Sequence, residues 1–521
     1  MKKANLLLMA AAAMGMPSVA HAHSIETTEA KDSRPNLLYI FPDQYRMFAL
    51  GIWSNPEYRN AISTMGDPVH TPNLDRLAQS GVLFTNACST QPVSSPHRAM
   101  LMSGMYPSKN GIEKNCTVDN TEELKHDIVC FTDVLAKAGY ETAYIGKTHW
   151  HNTEALFDEK GNYKGTTSLP GGSCPNRFDT YIPEGKSRHS NKFWFQQLND
   201  SHYNALAYSN RPELVGGKKD GEVYRPKRFT TTVEADIIID YLNNKGGVRD
   251  ASKPFSLIWS INPPHPPYNR LSDCDENIFN EYYKDLSLDE LLVRGNVGKN
   301  PELRKTKAGK NLPLSARFYF SLITGVDREI GRVLDALEKS GEADNTIIVF
   351  TSDHGEMMGS HGKTGKSVFY DESMLVPFIL KYPGKLKHRT DDLMFGSTDI
   401  MPTMLGLMGM SDKIPSTVMG KDYSDGILTG KYKKNKKPES ALYLSLLKKG
   451  VRTYKYTYVV KSDGTYELFD NVKDPYQKKS ISLDSLTDKE VSFLKKSLGK
   501  WLKEACDPWV KQKLNSGLIE Y

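Results

Sequence analysis

A serine and an arginine four residues apart, Ser94 and Arg98, enclose Ser95, Pro96 and His97 within a run from Gln91 to Gly104. Pro96 is at home in the first turn of a helix, so Ser94 falls in a turn that opens one. There, free backbone N–H groups and the helix dipole favour an anion. A capped helix start is the plain alternative for one such run taken alone. Four other polar clusters follow apolar runs: Asp43-Gln44, Lys147 with His149, His265 in a Pro-Pro-His-Pro segment, and Asp353-His354. Lys366 lies in a glycine-containing loop further on. Polar groups at strand ends are either caps or the place where ligands gather in an open α/β sheet.

The elements that must position these residues are legible in the alternation of β-branched runs with amphipathic stretches. The pattern predicts a large, mostly parallel sheet covered by helices on both faces, an α/β fold. Strands are expected at Asn36–Pro42, Val82–Ala87, Glu141–Ile145, Phe255–Ile261, Asn345–Thr351 and Pro377–Lys381. Helices are expected at 71–80, with Thr71 as N-cap and Pro72 at the first position, and at Phe131–Lys137, Thr230–Asn243, Ala316–Lys339 and Asp399–Leu407. Residues 152–228 and 266–312, rich in Gly, Pro, Asn and aromatics without periodicity, read as long loops over the sheet edge. Past Pro415 the pattern changes. Ala441–Leu444, Tyr454–Lys461 and Thr465–Phe469 read as an antiparallel sheet, and Thr487–Cys506 as a helix with Val491, Leu494, Leu498, Trp501 and Leu502 on one face. The division expected is a signal segment at 1–22, a catalytic domain at 23–430 and a smaller α+β domain at 431–521.

Bulk composition sets bounds on function. The chain has 521 residues, 39% hydrophobic and 25% charged, enough apolar material for a large core. The 68 Lys and Arg against 62 Asp and Glu give a net charge of +6, spread along the chain. Such a balance can draw in an anionic substrate but gives no basic arm for nucleic acid. Lys2 and Lys3, the apolar stretch Leu6 to Met14 and the Ala20-His21-Ala22 site read as a cleaved secretory signal. With no cysteine at that point and no later run long enough to span a bilayer, a periplasmic or secreted protein without membrane anchor is expected, from a Gram-negative source. The six cysteines read as mostly buried free thiols with one bridge at most.

Ser94-Ser95-Pro96-His97-Arg98 with the tail Ala99 to Gly104 resembles the signature of type I sulfatases, members of the alkaline phosphatase superfamily. In that family a Cys or Ser is oxidised to formylglycine (3-oxoalanine), and here the serine form is present. The resemblance extends over most of the chain. It implies that a maturase converts Ser94 and that Arg98 steadies the modified residue. Asp43, Gln44, residue 94, Asp353 and His354 would together hold one calcium ion, a donor set of oxygens with one nitrogen. Gln44 departs from the commoner Asp-Asp pair and removes one negative charge. Gly146-Lys147-Thr148-His149 resembles the strand end whose lysine holds the sulfate and whose histidine takes a proton as sulfate leaves. His265 matches the general acid for the leaving alcohol, and Lys366 a sulfate-binding lysine. His97 and His361 read as packing neighbours, and His151, just past His149, as either a packing neighbour or a substrate contact. The implied activity is removal of O-sulfate from a sulfated carbohydrate. The competing readings are a two-zinc phosphatase or phosphodiesterase of the same superfamily, which would need further His and Asp ligands where lysines stand, and a sulfated-glycan-binding protein with Ser94 unmodified.

Overall fold

The computed structural model describes residues 33–152, 155–166, 176–199, 201–297, 307–433 and 437–521. The signal-like segment lies outside them.

Strand β1, Asn36–Pro42, is buried along its whole length, and its two faces serve two different cores. Leu38 and Ile40 pack on one side with the helices Pro72–Ser80, Thr230–Leu242 and Lys307–Lys339. Leu37, Tyr39 and Phe41 pack on the other with Ser94–Ser103, Phe131–Lys137 and Ile400–Leu407. A strand apolar on both faces has no place except the middle of a three-layer α/β sandwich, and that is where it sits.

The sheet contains, after β1, strands β2 (Val82–Phe84), β3 (Glu141–Lys147), β6 (Phe193–Gln197), β7 (Ala207–Ser209), β8 (Phe255–Ile261), β9 (Thr346–Phe350), β10 (Phe378–Lys381) and β11 (Arg389–Asp391). Their spatial order is β11-β2-β10-β9-β1-β8-β3-β6-β7, and β4 (Ala155–Phe157) with β5 (Tyr163–Thr166) forms a separate hairpin. The central five, β9-β1-β8-β3-β6, are mutually parallel, while β10 and β7 run against their neighbours. In the register Pro42 pairs with Ile261, and Gly146 with Ser260, so the carboxyl ends of β1, β8 and β3 form one edge. Gly146 allows the close approach behind that edge: its φ is +107°, and a Cβ there would stand 2.0 Å from the Ser260 carbonyl oxygen.

The mostly parallel α/β reading holds, with boundary shifts that have physical causes. The strand expected at Val82–Ala87 ends at Phe84, after which the chain turns away to bond the loop beyond β11. The helix expected from Ala316 starts at Lys307, with Pro313 tolerated near its beginning. Thr71 occupies the N-cap position of its helix, but its hydroxyl accepts from the Gly51 amide at 2.8 Å and donates to Asp75 instead of capping. The stretch 152–228 is not all loop, because β6 and β7 extend the sheet beyond β3.

A second sheet, β12 (Ser440–Leu444), β13 (Lys448–Thr453), β14 (Tyr456–Lys461) and β15 (Tyr466–Asp470), is antiparallel in simple order. The helix Asp488–Glu504, N-capped by the Thr487 hydroxyl in a capping box with Glu490, buries Leu494, Leu498 and Leu502 against it. β13 is not marked by any alternation of apolar residues. Among the described residues no helix is long and apolar enough to cross a membrane, and the five described cysteines are free thiols. Cys174 lies outside the described residues.

Candidate active site

The carboxyl ends of four adjacent strands, β9, β1, β8 and β3, deliver the polar residues singled out in the sequence. Asp43 follows β1 and donates its amide to the Ile261 carbonyl at the end of β8, which ties the two ends together at 2.8 Å. Asp353 and His354 follow β9, Lys147 ends β3, and His265 lies four residues past β8.

Ser94 begins the helix Ser94–Ser103 and is fully buried. Its Oγ lies 3.1 Å from His354 Nε2 and 3.4 Å from Asp43 Oδ1. His354 Nε2 is in turn 3.5 Å from Asp43 Oδ1 and 3.6 Å from Asp353 Oδ1. The Asp43, Asp353 and His354 ligand atoms converge within 4.8 Å of one another, close enough to meet on one ion. Arg98, one helical turn beyond Ser94, spreads its guanidinium over the same group. Nη2 donates to Asp43 Oδ2 and Asp353 Oδ2, both at 3.1 Å, and Nη1 to the Lys147 carbonyl at 3.0 Å and Ser260 Oγ at 2.5 Å. The guanidinium also lies over the Phe41 ring, 4.8 Å from its centroid. Lys147 Nζ pairs with Asp43 Oδ2 at 2.7 Å. Lys366 Nζ donates to Gln44 Oε1 at 2.7 Å and stands 3.8 Å from Asp43 Oδ1.

This packing perturbs the ionisable groups in opposite directions. Burial pushes Asp43 upward, but the Lys147 and Lys366 ammonium groups beside it hold it well below the ordinary carboxylate range. Burial and the adjacent Asp43 charge push Asp353 up to about 7. Loss of solvation, then Lys147 and Arg98, lowers His149; loss of solvation, then Lys366 and Lys147, lowers His265. Burial followed by Lys366 does the same to His354. Lys366 is itself lowered by burial. The site is therefore a cationic pocket with neutral imidazoles on its walls, in which any anion finds fixed positive charge already in place.

Eight of the expected residues, Asp43, Gln44, Ser94, Arg98, Lys147, Asp353, His354 and Lys366, join one network of direct contacts. His149 and His265 flank it. His149 is buried with neither ring nitrogen hydrogen-bonded, and its backbone takes a left-handed φ of 55°. His265 is partly exposed, and its Nδ1 lies 2.9 Å from the Pro266 carbonyl. His97 turns away from the site, its Nδ1 3.1 Å from Ser89 Oγ and 3.0 Å from Ser397 Oγ, and burial lowers it to about 3. His151 faces Glu123, and His361 stacks on Tyr370.

Three participants were not read from sequence. Ser260 holds Arg98; Glu356 holds Gln44; and buried His202 donates from Nε2 to the His265 carbonyl at 2.8 Å. Glu356 sits within the Thr351 to Glu356 run, the one available signal. Ser260 and His202 reach the site only through the fold.

A buried serine at a helix start, a carboxylate–imidazole cluster and a ring of cations on the carboxyl edge of such a sheet suit a hydrolase of anionic esters. The sulfatase family model matches residues 35–410, and that of the N-sulphoglucosamine sulphohydrolase C-terminal region matches residues 359–504. The chain belongs to the type I sulfatase family. An endo-4-O-sulfatase of Bacteroides thetaiotaomicron is 38% identical over 513 residues, covering 94% of this chain and 95% of its own. An ulvan-active sulfatase of Formosa agariphila is 34% identical over 480 residues, covering 88% and 79%. A solved protein from the Bacteroides thetaiotaomicron locus that orchestrates metabolism of multiple glycosaminoglycans superposes with a TM-score of 0.83 at 38% identity, covering 94% of this chain and all of the other.

Proposed function

We propose that this sulfatase removes O-sulfate from a sulfated glycan, with Ser94 matured to formylglycine by a dedicated maturase and one calcium ion held beside it. The observation that carries the reading is the burial of Ser94 Oγ between His354 and Asp43, inside a pocket whose remaining walls are Arg98, Lys147 and Lys366. Asp43, Gln44, Asp353, His354 and residue 94 would hold calcium, whose charge draws in sulfate oxygens; two carboxylates and an amide oxygen fit a hard cation. Once formed, the hydrated aldehyde supplies a hydroxyl nucleophile and a second hydroxyl through which sulfate is released.

The chain's own residues do the rest. Lys147 and Lys366 bind the non-bridging oxygens, where charge collects as the ester breaks. Arg98 bridges both carboxylates and the Lys147 carbonyl, so it keeps the donor cluster and the sulfate-binding lysine in one frame. His149, with both ring nitrogens unengaged, takes the proton from residue 94. His265 delivers a proton to the leaving alcohol. Burial, then Lys366 and Lys147, lowers its imidazole, and a sulfate bound between the two lysines offsets their part of that lowering and so favours the protonated form.

The family's relatives include glycan sulfatases, and the resemblance to an endo-4-O-sulfatase makes a 4-O-sulfated polymer the first substrate to try. From the signal-like residues 1–22 we infer a periplasmic or secreted enzyme, and the division into 23–430 and 431–521 is likewise our assignment. The test is to incubate maturase-coexpressed protein with regiodefined sulfated oligosaccharides and matched phosphate esters, and to measure the released anion. We expect sulfate from at least one glycan and far less phosphate from its counterpart. Preferential phosphate release would overturn the reading.

A further inference from the structure

Gln44 carries an amide where the commoner family pair has a carboxylate, and this raises a problem of orientation. Either oxygen of an Asp can face a cation, whereas a glutamine offers an oxygen from one end only and an NH2 from the other. Something must decide which end points into the site.

We propose that Glu356 is a positioning residue that turns the Gln44 side-chain oxygen toward Lys366 and the cation; the inference rests on the reading of Gln44 as a calcium ligand. Glu356 is fully buried and accepts hydrogen bonds on both oxygens. Oε1 takes the Met358 amide at 2.8 Å and the Gly365 amide at 2.7 Å. Oε2 takes Gln44 Nε2 in a short bond, and the Tyr268 hydroxyl at 3.4 Å. Both oxygens of Glu356 thus serve as acceptors, and the acceptor turned toward Gln44 meets the NH2 end of its amide. At the other end Lys366 Nζ, which can only donate, meets Gln44 Oε1 at 2.7 Å. Reversing the amide would set NH2 against ammonium and carbonyl against carboxylate, breaking both bonds at once in a buried setting. The backbone adds to the constraint: Gln44 has a left-handed φ of 65°, and its amide donates to Asp353 Oδ1 at 3.0 Å. Through the Gly365 amide the same carboxylate also anchors the loop that carries Lys366. One side chain outside the ligand shell thus aligns a ligand oxygen and a sulfate-binding lysine.

The test uses full-length protein stripped of metal and titrated calorimetrically with calcium alone. In E356Q the new amide keeps its oxygen for Met358 and Gly365 and presents NH2 to Gln44. Gln44 must then reverse and point its own NH2 at the cation. Calcium affinity is expected to fall roughly 10- to 100-fold, the usual effect of losing an outer-shell partner, while the metal-free protein keeps its far-ultraviolet dichroism. The paired variant Q44E with E356Q recreates the bond with donor and acceptor exchanged and again presents an oxygen, now with a negative charge added, so its affinity should return to that of wild type or above it. A single variant that binds calcium like wild type, or a paired variant no tighter than the single one, overturns the proposal. If E356Q is too unstable to titrate, the paired variant decides alone: native affinity or higher supports the proposal and lost affinity overturns it. Wild type that takes no calcium is a different failure, since it removes the calcium reading and this inference with it.

Discussion

His265 is the residue whose chemistry is most open to dissection. It lies past the end of β8, partly exposed, with its backbone carbonyl held by His202. If it protonates the leaving oxygen, its loss should matter in proportion to how poorly that oxygen leaves. His265→Ala is expected to lose about a hundredfold or more on a sugar sulfate and much less on a nitrophenyl sulfate, whose phenolate departs without a proton. Comparing the two kcat/KM ratios checks this, and equal losses would assign His265 to sulfate binding instead. At this scale much of the candidate site was legible, because residues such as Asp43, Lys147 and Asp353 each close an apolar run that can be recognised as a strand. Glu356, Ser260 and His202 were not, since what they do is defined by partners 63 to 312 positions away in the chain.

The elements were legible where a single periodicity ran unbroken. β1, β8 and the helix Phe131–Lys137 fall where the apolar pattern puts them. β6 escaped because Phe193-Trp194-Phe195-Gln196-Gln197 is buried on both faces and so shows no alternation, and it sits between stretches rich in Gly and Asn. β13 escaped because Lys449 and Arg452, charged residues within it, are buried in ion pairs with Asp507 and Asp371, and Gly450 sits between them. An element also carries a pH liability. Glu234, on the helix Thr230–Leu242, is buried against the sheet with Trp259 Nε1 donating to it at 2.8 Å, and burial raises it to about 8. An acid raised in the folded state adds stability that is fully present below its unfolded value and is lost as pH climbs through the folded one. Glu234→Gln cannot ionise. Between pH 5 and pH 9 its unfolding free energy should therefore gain on wild type by on the order of a few kcal/mol. Urea titrations at both pH values check this, and a pH-independent gap would contradict it.

At the scale of the whole molecule, the second sheet is fastened to the catalytic layer close to the active-site loops. Arg452 on β13 forks onto Asp371 at 2.8 and 2.9 Å, Tyr443 reaches the Ser367 carbonyl, and the Leu444 amide bonds the Thr90 carbonyl just ahead of the signature helix. The C-terminal sheet therefore braces both the loop carrying Lys366 and the segment leading to Ser94, and an intact chain is the proper subject for any test of mechanism. Ser94 in its formylglycine form is the nucleophile proposed for this sulfatase. The most direct measurement is peptide mass spectrometry across residue 94, paired with sulfate release by the same preparation, with and without a serine-type maturase. Loss of two hydrogens at Ser94 is expected only with the maturase, with turnover that rises in step with the modified fraction. Full turnover by protein whose Ser94 is wholly unmodified would contradict that role.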